Sequence, residues 1–324
     1  MIDMKIVAIQ PALQLGQVEA NLKKLEQLIL AAYQEHSPDV IVLPESMTSP
    51  NVYSPQALLT PQPLQGQPLQ LLIRLAKQLN VVITGGFVAI RDGHTYGTYV
   101  MVERNGDYHL HDKDIPTAWE QNFYSGGSDD GIVDSSSLNC KVALLSGWEW
   151  ARFRTAKRVR EQHAQLILGG MCWYSMPINW YGLLGTWMRR EHEIYKQQSE
   201  ALPAQMARLT GIPVVHAAHV GEILSDMPLL PYVKWLTEMV GETQICDAAG
   251  NVLARMSLAD GEGYIAAEIE LAEPKPVEPL ASSYWIPDMT LTSKLAWHVG
   301  NLHGGLMYRV RHRLKKFPWQ KQLK

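Results

Sequence analysis

The order of apolar segments predicts a layered α/β fold, with two central β-sheets and helices on their outer faces. Three observations carry that expectation. Short apolar runs of strand length alternate with stretches whose apolar residues recur at helical spacing. The alternation occurs twice, each half reading β-α-β-α-β-β, which implies two similar sheets related by pseudo-symmetry. An apolar fraction of 46% over 324 residues supplies a sizeable core, enough for one large domain or two small ones.

Residues 5–10 form the first expected strand. Residues 17–36 carry Val18, Leu22, Leu25, Ile29 and Ala32 along one helical face. Residues 39–43 are a second buried strand, which delivers Glu45 to its C-terminal edge. An amphipathic helix over 67–79 leads into a strand over 81–88. Strands 96–103 and 108–112 flank Asn105-Gly106, a strong hairpin signal, and Lys113 follows at once. The second half runs as strand 141–145, helix 151–163, strand 165–169 and a long helix 184–209 that Pro203 is expected to interrupt. Strand 213–219 follows, then 242–247 paired with 252–256 across Ala249-Gly250-Asn251, and strand 263–269 closes the set.

Residues 1–270 read as the main domain and 271–324 as an extension. Pro274, Pro276 and Pro279 make its start a stiff linker, since each Pro restricts itself and its predecessor. Residues 291–314 then read as a helix interrupted at Gly304-Gly305. The end is basic, through Arg309, Arg311, Arg313, Lys315, Lys316, Lys321 and Lys324, with Phe317 and Trp319 interleaved. A contact with a partner subunit in a homodimer or larger homo-oligomer is the first expectation for it, and an anchor for an acidic or membrane surface the second.

Composition excludes several classes. A net charge of -3 and a pI near 6.4 give no global reason to expect nucleic acid as partner. The N-terminus lacks a signal-peptide pattern, and no run of 18 apolar residues occurs, so a cytoplasmic protein without a transmembrane segment is expected. Cys140, Cys172 and Cys246 are odd in number and unpaired in spacing, which fits a reducing compartment. Neither CxxC, HExxH nor GxGxxG after a strand is present, so no metal and no cofactor is expected.

The chemistry lies in four short motifs. They are Leu43-Pro44-Glu45-Ser46, His111-Asp112-Lys113-Asp114-Ile115-Pro116-Thr117, Trp119-Glu120, and the strand-to-turn segment ending Ser146-Gly147-Trp148-Glu149. In order and spacing, these resemble the nitrilase superfamily of carbon–nitrogen hydrolases. The resemblance covers about residues 4 to 270 and implies a four-layer αββα sandwich. It implies that Glu45 is the general base, that Lys113 stabilises the oxyanion, and that Glu120 is the second glutamate. It implies that Trp119, Trp148, Glu149, Cys172, Trp173 and His219 bind the substrate, and that the partner is a small nitrile, amide or carbamoyl compound.

The family places its nucleophile in a Cys-(Tyr/Trp)-(Asp/Glu) turn, so Trp148-Glu149 puts the cysteine's position at Gly147. Glycine can neither attack nor hold an acyl intermediate, although it suits a turn that needs positive φ. Two readings follow: a hydrolase whose nucleophile is substituted or relocated, or a catalytically inactive relative that binds a small ligand or a protein. Three groups stand as substitutes. They are Ser146, which strand alternation is expected to turn away from the site, Cys172, and a water activated by Glu45.

Overall fold

The computed structural model describes residues 2–227 and 230–321. One sheet of seven strands runs in spatial order Gly263–Leu271, Ile2–Gln10, Val40–Val42, Val82–Arg91, His94–Val102 and Tyr108–Asp112, with short Gln62–Pro63 also paired to Val82–Arg91. The other has six, in the order Val252–Met256, Thr243–Cys246, Val214–Ala218, Leu166–Met171, Cys140–Ser146 and Ile132–Ser135. In each sheet the three inner strands are parallel and the flanking ones antiparallel, except that short Gln62–Pro63 runs parallel to Val82–Arg91.

Which faces are apolar sets the layers. Between the sheets, Ile6, Ala8, Val40 and Val42 meet Val142, Leu144, Leu168 and Val215. The outer face of the first sheet is covered by α1 (Val18–His36) and α2 (Gln67–Leu79), whose Leu25, Ile29, Leu72 and Leu75 pack on Val7, Ile41 and Ile83. Helix α2 begins with Pro68 in its first turn and ends at Asn80 in the left-handed conformation, so its sequence limits are sharp. The second sheet carries α3 (Phe153–Glu161) and α4 (Gly182–Thr210), with Ala156, Val159, Leu202 and Met206 against Ala143, Ile167 and Val214. The result is an αββα sandwich. Parallel inner strands buried on both faces explain why they read as unbroken apolar runs.

Two helix expectations need correction. Helix α4 runs through Pro203 without interruption. The roughly 3 kcal/mol that an interior proline costs is offset here by burial of Leu202, Pro203, Met206 and Leu209. Helix α5 (Leu291–Arg313) is likewise continuous across Gly304-Gly305. Its glycines serve approach, not breakage: a Cβ on Gly300 would lie 2.9 Å from Ala118 Cβ, and one on Gly304 2.8 Å from Gln121 Cβ. Phe317 and Trp319, interleaved with the basic residues, are buried beside Tyr308. The Pro-rich segment runs back along the end of α4, with Lys275 N–H donating to Gly211 O at 3.1 Å and Val277 N–H to Arg208 O at 2.9 Å. The hairpin Glu222–Met227 with Leu230–Glu238 carries no clear period in the sequence and is additional. Among the described residues no helix is long and apolar enough to cross a membrane.

Candidate functional site

The site forms where strands end. Val40–Val42 is followed by Glu45, Tyr108–Asp112 by Lys113, Cys140–Ser146 by Gly147 and Leu166–Met171 by Cys172. Parallel strands that start on one edge bring their C-terminal loops to the other, so residues far apart in sequence converge. Lys113 Nζ donates to Glu120 Oε2 at 2.6 Å and to Glu45 Oε2 at 3.2 Å, and all three side chains are buried. Glu120 also accepts from Thr117 N–H and Tyr124 OH, each at 2.6 Å. Glu45 accepts from Ser146 Oγ at 2.8 Å and from Cys172 N–H at 2.9 Å.

Burial raises the Glu45 carboxyl above its ordinary range, against the lowering pull of Lys113, and nearby Glu120 raises it further. Burial alone would discharge Lys113, but Glu120 and Glu45 hold it firmly protonated. The trio is thus one cation clamped by two carboxylates, one of which is a strengthened base.

Gly147 sits against this trio with φ +56°, in the left-handed region that favours glycine. A Cβ placed on it would lie 2.7 Å from both Glu45 carboxylate oxygens and in contact with Lys113 Nζ. The turn that follows is 3₁₀, Gly147–Ala151, and Ser146 N–H donates to Glu149 Oε2 at 2.9 Å. Ser146 does not turn away as strand alternation implies. The chain leaves extended geometry at Gly147, and Ser146 Oγ is aimed at Glu45.

Beyond Glu45 lies a cavity of about 80 Å³. Trp119, Trp148, Cys172, Trp173, Tyr174 and Tyr195 are among the residues that line it. Trp148 is fixed by Trp173 at 5.4 Å and by a parallel stack on Trp297 of α5 at 5.8 Å. Two of the expected pocket residues do not line it. Glu149 is buried beneath the turn, bonded to His111 Nε2 at 2.8 Å, and although burial would raise it, His111 and Arg158 hold it well below the carboxylate range. His219 is kept neutral by burial, lowered to about 4, and its Nε2 bonds the Glu45 backbone carbonyl at 2.6 Å.

Comparison with known proteins decides the lineage. The carbon-nitrogen hydrolase family model matches residues 5–277. The chain belongs to the carbon–nitrogen hydrolase family. Similar folds include a carbon-nitrogen hydrolase from Helicobacter pylori G27 (TM-score 0.67, 17% identity, covering 83% of this chain and 90% of that one). A branch 10 member of the nitrilase superfamily from Saccharomyces cerevisiae gives a TM-score of 0.60 at 17% identity, covering 85% and 92%. An amidase from Nesterenkonia sp. gives 0.60 at 13%, covering 82% and 89%. No curated protein matches the sequence.

Several parts of the site in this carbon–nitrogen hydrolase family member are not visible in its motifs. Tyr124 is a lone aromatic in sequence, yet its hydroxyl bonds Glu120. Gly86 is needed because a Cβ there would lie 2.9 Å from Glu45 Cα, and the run Gly85-Gly86 within a strand is the signal that could have found it. Ala296 of α5 lines the cavity, which only the path of the C-terminal extension reveals.

Proposed function

We propose that this chain binds a small amide, nitrile or carbamoyl compound in a carbon–nitrogen hydrolase site that lacks its covalent nucleophile, Gly147 standing in that position. The carrying observation is the Cβ position at Gly147, against both Glu45 oxygens and the Lys113 ammonium. In this reading Lys113 faces the ligand's carbonyl or nitrile end, Glu120 holds Lys113 in place, and Glu45 is the base. Trp119, Trp148, Trp173 and Cys172 form the walls, while Glu149 and His219 act through the backbone they hold.

The support for binding without turnover is chemical. In a serine protease, removing the nucleophile alone costs about 10⁶-fold in turnover. Neither side-chain substitute is well placed. Ser146 Oγ contacts Glu45 but faces a separate, smaller space lined by Phe87, Val88 and Thr98. Cys172 does line it, yet burial, with Glu45 nearby, pushes its thiol far above the ordinary range and keeps it protonated. The raised Glu45 favours one second reading, in which it activates a water toward a more reactive substrate, an aid worth about 10²–10⁴.

Variants of the Nesterenkonia amidase hold butyramide and acrylamide, which makes these two compounds natural probes. Titration calorimetry of this protein with butyramide, beside an ammonia assay, should show saturable binding and no ammonia above the buffer control. Ammonia release by the unaltered chain would sink the non-turnover reading, and absence of binding across amides, nitriles and carbamoyl compounds would sink both.

A further inference from the structure

Helix α5 is built inside out for a surface helix. Its inward face, Ser293, Trp297, Gly300, Gly304 and Tyr308, is small or aromatic and packs on the 118–122 turn and its surroundings. The opposite face is apolar and exposed along its whole length: Leu291 is 73% exposed, Leu295 55%, Leu302 76% and Leu306 54%, with Val299 among them and Val310 one turn further on. These positions recur every three or four residues, so they make one continuous stripe. The first turns of α4 also expose Leu183, at 93%, and Trp187, and the Thr290 hydroxyl at the start of α5 donates to Glu191 of α4.

Charge identifies the occupant. The whole chain is acidic, yet residues 291–324 contain no Asp or Glu. Exposed Arg309, Arg313, Lys315 and Lys316 lie on or beside the C-terminal half of the stripe. In a two-fold pairing of this face, α5 would meet a second α5 that carries no carboxylate for these cations. An exposed leucine stripe with a basic end is the pattern of a helix that lies in the plane of a bilayer surface.

We propose that the outward face of α5 docks this protein on an anionic lipid surface, with the leucine stripe in the headgroup boundary and the basic end against lipid phosphates. Helix α5 also supplies Ala296 to the cavity wall and Trp297 to the Trp148 stack, so docking would hold the site beside the membrane.

Co-sedimentation of the full chain with vesicles tests this, using phosphatidylcholine with phosphatidylglycerol against phosphatidylcholine alone. Binding to the anionic vesicles should be at least about tenfold stronger, and should weaken in high salt because exposed charges are screened beyond about 10 Å at 0.1 M. The double substitution Leu302→Asp with Leu306→Asp should abolish it. These side chains point outward, and an unchanged circular dichroism spectrum would verify the fold. Arg313→Gln with Lys316→Gln should lower binding to anionic vesicles and leave the weak neutral binding unmoved. Absence of binding to either vesicle overturns the proposal. So does vesicle binding indifferent to the leucine substitutions, or a stable dimer by light scattering that the leucine substitutions dissociate while vesicles are ignored.

Discussion

Substituting Lys113→Met isolates the charge at the centre of the site while keeping most of the side-chain volume. Lys113 is 1% exposed, with Glu120 Oε2 2.6 Å and Glu45 Oε2 3.2 Å from its ammonium. Its removal leaves two carboxyls buried close together without a cation. Breaking a buried ion pair from one side costs about 3–5 kcal/mol. For a chain of this size each kcal/mol shifts the midpoint by about 2 °C, so a fall of about 6–10 °C is expected at pH 8. The deficit should shrink toward pH 5. Burial already raises Glu45, and Lys113 lowers it more than the Cys172 N–H and Ser146 hydroxyl do, so in the variant the folded-state value rises further. A carboxyl raised in the folded state favours folding below its unfolded value and loses that contribution as pH climbs through the folded one. Differential scanning fluorimetry across pH 5 to 8 reads this directly. A variant as stable as the parent at pH 8 would refute the clamped-trio account.

Other outcomes follow from the same geometry. Burial would lower His111, yet Glu149 and Asp129 push it up to about 10, so its contribution is complete below about 6.5 and is lost as pH rises toward 10. The urea midpoint of the parent should therefore fall over that interval more steeply than that of His111→Asn. Gly304→Leu should cost about 1–3 kcal/mol by overpacking against Gln121 and Asn122, read as a lower thermal midpoint. The buried, protonated Cys172 thiol should be alkylated by iodoacetamide at pH 8 at least about tenfold more slowly in the folded protein than in urea. Fast labelling in the folded state would return Cys172 to consideration as nucleophile.

The fold was largely legible because its inner strands are doubly buried and its helices single-faced, so hydrophobic period alone marks both. The convergence of Glu45, Lys113 and Glu120 was foreshadowed by short motifs, two of them at strand ends and the third in the turn 118–122. What escaped the sequence is contact at a distance. Pro203 and Gly304-Gly305 look like helix breakers by local preference, but tertiary packing outweighs propensity in the first case and uses the missing Cβ in the second. Ser146 is misread by strand alternation because the chain turns at the next residue. Glu149 has the position of a pocket residue, yet its partners, His111 and Arg158, lie 38 and 9 positions away and draw it beneath the turn.

The most direct test of the central claim is Gly147→Cys, assayed for ammonia release from butyramide and, by mass spectrometry, for acrylamide attachment. Cysteine at φ +56° costs about 1–2 kcal/mol, and Lys113 and Glu45 must move the ends of their side chains to admit it. If Gly147 holds the nucleophile's place, the variant should release ammonia where the parent does not, and carry one acrylamide at residue 147. A folded, ligand-binding Gly147→Cys protein that neither turns over nor is labelled at that position would contradict the account.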